Sequence, residues 1–167
     1  MKAAYLTGNA IDLLQNGSEF FPALIAAIDA AEREFHLETY IFEDDATGRA
    51  VAGALCRAAR RGVAVRVLAD GFGAADFVAT LRPQLEAAGV QVRVYRPEIA
   101  RFRLRRHRLR RLHRKLAVAD GRSAFVGGIN IVDDIDAAHP APPRFDYAVR
   151  VEGPLLVPIH TTVRRLW

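Results

Sequence analysis

Apolar positions along the first hundred residues follow two periods in turn. Residues 11–14 form a short apolar run that reads as a strand, and Asn16-Gly17 predicts a turn with Ser18 as the N-cap of the helix behind it. Phe21, Leu24, Ile25 and Ile28 then recur at helical spacing and make one apolar stripe, with Pro22 tolerated in the first turn. Residues 35–42 are rich in β-formers, and the stretch from Asp44 to Gly48 supplies a loop and a cap for the next helix. That helix carries Val51, Leu55, Ala58 and Ala59 on one side and ends at Arg60-Arg61-Gly62. A strand over 63–68, the loop from Asp70 to Gly73, a helix over 75–88 stopped by Gly89 and a strand over 90–95 complete the series.

Strands and helices alternating through short connections predict an α/β fold: a mixed, largely parallel sheet flanked by helices on both faces. The pattern changes after Arg96-Pro97. Residues 112–119 and 123–128 read as two strands joined by a tight turn at Asp120-Gly121, so this part of the sheet is expected to be antiparallel. Residues 133–143 hold three prolines and no periodicity, which marks a surface loop, and 145–152 read as a final strand. No internal repeat or low-complexity linker interrupts the chain, and 167 residues suit a single domain spanning 1–167.

Charge alters the picture in one place. Between Arg101 and Lys115 there are eight arginines, one lysine and no acidic residue, whereas the first 50 residues are net acidic. Such a block raises the local potential and attracts a polyanion or an anionic membrane surface. No apolar stretch reaches bilayer length and the N-terminus is too short for a signal peptide, so the expected location is cytoplasmic. Cys56, the single cysteine, lacks a partner and reads as a small buried hydrophobe.

Chemistry concentrates in the strand after the basic block. His113 and Lys115 stand two apart, which on a strand turns both side chains to one face. A neutral imidazole can attack phosphorus, and an ammonium beside it offsets the charge that grows on the phosphoryl oxygens. The pair belongs to a longer pattern: His113-Arg114-Lys115, four residues, Asp120, six residues, then Gly127-Gly128-Ile129-Asn130. It resembles, at every defining position, the H-x-K-x4-D-x6-G-[GS]-x-N signature of the phospholipase D superfamily. Residues 37–42 with 45–48, residues 61–70 and residues 145–154 are in addition similar to bacterial cardiolipin synthases of the shorter kind without N-terminal transmembrane helices.

The resemblance implies a phospholipase D-like fold and a residue-by-residue assignment. His113 is the nucleophile or the general acid, Lys115 and Asn130 hold phosphoryl oxygens, and Asp120 acts mainly on the geometry of its own loop. Asp146, placed on the last strand, is the candidate acceptor that fixes the second ring nitrogen of His113. No cofactor is expected; His107 reads as a solvent-exposed loop histidine within the arginine run, and His36, His139 and His160 have no Cys, Asp or His at metal-ligand spacing, so no metal is assigned either.

Enzymes of this superfamily usually bring two copies of the signature together, and this sequence holds one. The expectation is half of a two-signature enzyme, with a symmetric homodimer as the alternative. The implied activity is transfer of a phosphatidyl group to phosphatidylglycerol through a phosphohistidine, with the chain peripheral on the inner face of a bacterial membrane and anionic phospholipid as substrate. The competing activity is an endonuclease or other phosphodiesterase using the arginines on a nucleic-acid backbone. With only Phe102 inside the basic run, base stacking is poorly provided for. A catalytically silent module is a third reading, disfavoured by the intact set His113, Lys115, Asn130 and Asp146.

Overall fold

The computed structural model describes residues 5–97, 111–133 and 145–167. The basic residues 101–110 with His107, and residues 134–144 with His139, lie outside the described residues.

Strands β1 (Ala10–Gln15), β2 (Glu34–Thr39), β3 (Ala64–Asp70), β4 (Gln91–Tyr95), β5 (Leu116–Ala119), β6 (Ser123–Gly127) and β7 (Tyr147–Glu152) form one sheet in the order β1-β7-β6-β5-β2-β3-β4. Helices α1 (Asn16–Ala30), α2 (Ala46–Arg60), α3 (Ala75–Ala87) and α4 (Leu156–Leu166) complete the described elements. The fold is α/β with a mixed sheet, as expected. β1, β2, β3, β4 and β6 run one way and β5 and β7 the other. Parallel pairing is nevertheless confined to β2–β3 and β3–β4, because β1 crosses to the far edge and pairs antiparallel with β7.

Alternation along β5 divides the core. Ala117 and Ala119 join the large cluster with Leu24, Ile28, Phe35, Leu55 and Phe77, contributed mainly by α1, α2, α3 and the sheet. Leu116 and Val118 face the other way and pack with Ala124 under Leu156 and Val163 of α4. Helices thus cover both faces. Phe35, Phe42, Phe77 and Phe125 are the largest fully buried side chains, and truncating one to alanine would cost about 3–5 kcal/mol.

Several boundaries differ from the sequence reading for local reasons. α1 starts at Asn16, and its cap residue is Gln15, whose amide donates to Glu19 Oε2 at 2.8 Å; Ser18 lies within the helix. Asn16 takes a left-handed φ of 57° and exchanges two bonds with Asp146: its amide donates to the Asp146 carbonyl at 2.9 Å and its Oδ1 accepts from the Asp146 amide at 3.1 Å. The cap expected within the stretch from Asp44 to Gly48 is Asp45, which accepts from the Gly48 amide at 2.6 Å. Residues 112–115 precede the paired part of β5, and Asp146 stands just before β7 instead of within it. Helix α4 was not foreseen, although the break at Gly153-Pro154 and the spacing of Leu156, Ile159 and Val163 announce it.

Candidate active site

Extended backbone ahead of β5 places His113 and Lys115 on the same side, as their spacing predicts. Lys115 Nζ lies 3.2 Å from His113 Nε2 and 3.4 Å from Nδ1. Arg114, between them, points to the opposite face and pairs with buried Glu38 at 2.7 Å, so the guanidinium is turned away from the imidazole. Burial pulls the Lys115 ammonium below its ordinary range, and the Asp146 charge works against that shift. His113 is exposed, so the ring is open to a substrate.

Asn130 enters from the loop after β6. Its Oδ1 accepts from the Ile41 amide at 3.1 Å, which commits the carbonyl to the protein and leaves the amide N–H groups as the donors it can offer outward. The Ile131 amide donates to the Ile41 carbonyl and the Glu43 amide to the Ile131 carbonyl, so this loop is laced to the segment leaving β2. Gly128 is required by a close approach: a Cβ there would come within 2.1 Å of Asp146 Oδ1. The second glycine of the signature therefore makes room for the carboxylate whose charge acts on Lys115, while the first, Gly127, makes room for Tyr147 and Ala148 of β7.

Asp146 was expected to hold His113. In the structure its Oδ1 accepts from the Tyr147 amide at 2.8 Å, and its influence on the site runs through the charge it presents to Lys115. Among the described residues no hydrogen bond joins Asp146 to His113. Asp120, expected to act mainly on the geometry of its own loop, stands apart from the His113 pair. It sits at the other end of β5, about 20 Å away along the strand. Its Oδ1 accepts from the amides of Arg33 (2.8 Å) and Glu34 (2.9 Å), and its Oδ2 from that of Glu32 (2.9 Å). Asp120 thus organises the entry to β2 in addition to its own turn, where it and Gly121 have φ of 53° and 65°. Burial opposes ionisation of this carboxyl, but the three amides and the Arg33 charge outweigh it and hold its pKa below the ordinary carboxylate range.

One supporting residue escaped the sequence reading. Asp70, fully buried at the end of β3, takes the Leu112 amide on Oδ2 at 2.8 Å and the Phe72 and Gly73 amides on Oδ1 at 2.9 and 3.3 Å. It anchors the backbone immediately before His113. A buried aspartate closing a β3 loop rich in glycine was the available signal.

The fold also unites residues that lack metal-ligand spacing in the sequence. Glu34, His36 and His160 bring ligand atoms within 4.8 Å of one another beneath α4. His160 Nε2 is 2.8 Å from Glu34 Oε1, and His36 Nε2 is 3.3 Å from Glu34 Oε2. Arg66 Nη1, however, lies 3.2 Å from both Glu34 Oε2 and His36 Nε2, so a guanidinium supplies the positive charge a metal would bring. Burial lowers the pKa of His36, with the Arg66 charge adding to the shift and the Glu34 carboxylate opposing it.

Residues 24–134 match the family described as "Cardiolipin synthase, PLD-like domain". Cardiolipin synthase B of Escherichia coli K12 is 38% identical over 100% of this chain and 43% of its own length. Cardiolipin synthase B of Salmonella typhi is 43% identical over 95% of this chain and 38% of its own length. The chain spans about two-fifths of the length of these curated relatives. Among solved structures, the phospholipase D family member Nuc from Salmonella typhimurium superposes with a TM-score of 0.69 at 17% identity, over 95% of this chain and 93% of that one. NucT from Helicobacter pylori gives 0.74 at 16% identity, over 95% of each chain. Two neighbours of low identity thus share the fold, and the cardiolipin synthases share the sequence itself. The chain belongs to the phospholipase D-like family of the cardiolipin synthases.

Proposed function

We propose that this domain is one catalytic half of a phosphatidyltransferase of the cardiolipin synthase type. The observation that carries the reading is an open imidazole with an ammonium 3.2 Å from its Nε2. In the first step a ring nitrogen of His113 attacks the phosphorus of a phosphatidyl donor. The N–P bond forms, the P–O bond to the leaving alcohol breaks, and that oxygen takes a proton from an acid in the second half. Lys115 and the Asn130 amide receive the charge that builds on the equatorial oxygens. In the second step the hydroxyl of phosphatidylglycerol attacks the phosphohistidine, gives its proton to the same group and frees His113. Asp146 balances Lys115 through both steps and is the candidate carboxylate for orienting His113.

The second half is a phospholipase D-like domain carrying its own histidine, either in the same polypeptide or in a second copy of this chain. The segment over 101–111, with its arginines interleaved with Phe102 and Leu104, suits an anionic lipid surface, and a peripheral place on the inner membrane face follows from it. Among the described residues no helix is long and apolar enough to cross a membrane.

The test is turnover of phosphatidylglycerol vesicles against single-stranded and duplex DNA by the protein and its His113→Ala variant. Production of cardiolipin that vanishes with His113 supports the proposal. Cleavage of DNA with no lipid product would replace it by the phosphodiesterase reading.

A further inference from the structure

Tyr40 lies outside the signature, yet it touches both groups at its centre. The Tyr40 and His113 ring centroids are 5.1 Å apart with planes inclined at 47°. Lys115 Nζ stands 5.5 Å from the centroid of the same ring. An aromatic face beside a cation attracts it through the ring quadrupole, and an edge or tilted contact fixes a second ring. Among the described residues the Tyr40 hydroxyl makes no hydrogen bond, so its contacts here are those of the ring.

The ring is held from behind. Gly73 approaches so closely that a Cβ there would lie 2.4 Å from the Tyr40 carbonyl oxygen and 3.0 Å from two of its ring carbons. The Gly73 amide is bound by Asp70 Oδ1, while Asp70 Oδ2 binds the Leu112 amide next to His113. One buried carboxylate therefore fixes both the loop behind Tyr40 and the backbone that delivers the imidazole.

We propose that Tyr40 is a positioning residue, mounted on Asp70 and Gly73, whose ring keeps the His113 imidazole and the Lys115 ammonium in one productive arrangement. This rests on the reading of His113 and Lys115 as the phosphoryl-transfer pair. Without the flat ring, the ammonium is free to swing into water and the imidazole to turn about its χ2. The cost falls on the reacting geometry more than on substrate affinity, since small misplacements of a reacting group are expensive in rate.

The experiment compares the wild-type protein with Tyr40→Phe, Tyr40→Leu and Tyr40→Ala. It reads kcat and KM on phosphatidylglycerol vesicles, thermal melting, and the titration of Lys115 by NMR of 13C-labelled lysine. Tyr40→Phe is expected to stay within about threefold of wild type in kcat, whereas Tyr40→Leu and Tyr40→Ala lose about 30-fold or more with KM little changed. In Tyr40→Ala, Lys115 regains water and titrates closer to an ordinary lysine, as burial is what lowers it now, whereas Tyr40→Leu keeps the site filled but removes the attraction of the ring for the ammonium and lowers Lys115 further. Tyr40→Leu keeps most of the volume and decides the matter should Tyr40→Ala not fold. A Lys115 titration unmoved by Tyr40→Leu overturns the proposal, as does a Tyr40→Phe variant as impaired as Tyr40→Leu, which would give the role to the hydroxyl. Should wild type turn over no phospholipid, the functional assignment falls, while the lysine titration still decides the placement of Tyr40.

Discussion

The two ends of β5 carry two halves of one sequence signature and are built on opposite terms. At the Asp120 end, a buried carboxylate accepts three backbone amides and anchors the start of a neighbouring strand. At the His113 end, the ring is exposed, and it and the Lys115 ammonium contact each other and an aromatic ring. A buried charge is tolerated only when its bonds are filled, and once they are it has nothing left to offer a substrate. An exposed imidazole beside a half-buried ammonium is less fully satisfied in the resting molecule, as the proposed receipt of a phosphoryl group requires. Residues seven apart in one motif thus divide into a group proposed to react and a group that builds.

That contrast can be broken first at its reactive end. His113→Ala should lower transfer by more than about 10^4-fold while leaving the melting temperature within a degree or so of wild type, checked by lipid assay and calorimetry. Lys115→Met or Asn130→Ala should each cost about 10^2–10^3 in kcat, the range for losing one preorganised donor to a developing oxyanion. At the other end the order reverses. Asp120→Ala strands three amides and should cost about 3 kcal/mol of stability, or about 6–12 °C in melting temperature, with the folded fraction keeping its chemistry. The smallest effect is in pH. Because the folded Asp120 carboxyl titrates below its unfolded value of about 3.9, its contribution is complete above that pH and fades as the pH falls toward the folded value. Asp120→Asn should therefore flatten the acid limb of a denaturation series below about pH 4 and leave the slope near neutrality unchanged.

Much of this was written in local sequence. The stripe of Leu24 and Ile28, the Asp45 cap and the alternation up to Tyr95 gave the elements between α1 and β4 within a few residues, because each rests on neighbours close in the chain. The placement of His113 and Lys115 on one side followed from strand period. What was not legible depends on distant pairing. β1 lies beside β7 because residues about 140 apart meet there, and no period in either segment states its partner. The same holds for Asp120, whose bonds to Glu32, Arg33 and Glu34 span 86 to 88 residues, and for the gathering of Glu34, His36 and His160. Asp70 and Tyr40 stayed hidden for a related reason, as their role is set by what they touch across the fold.

The most direct test of the division between the two ends is to trap the covalent intermediate. The protein is incubated briefly with phosphatidylglycerol labelled with 32P, quenched in alkali, where a phosphohistidine survives, and digested for peptide mapping. The account predicts label on the peptide containing His113, lost in His113→Ala and retained per folded molecule in Asp120→Asn. Label that persists in His113→Ala, or that disappears in a folded Asp120→Asn, would contradict it.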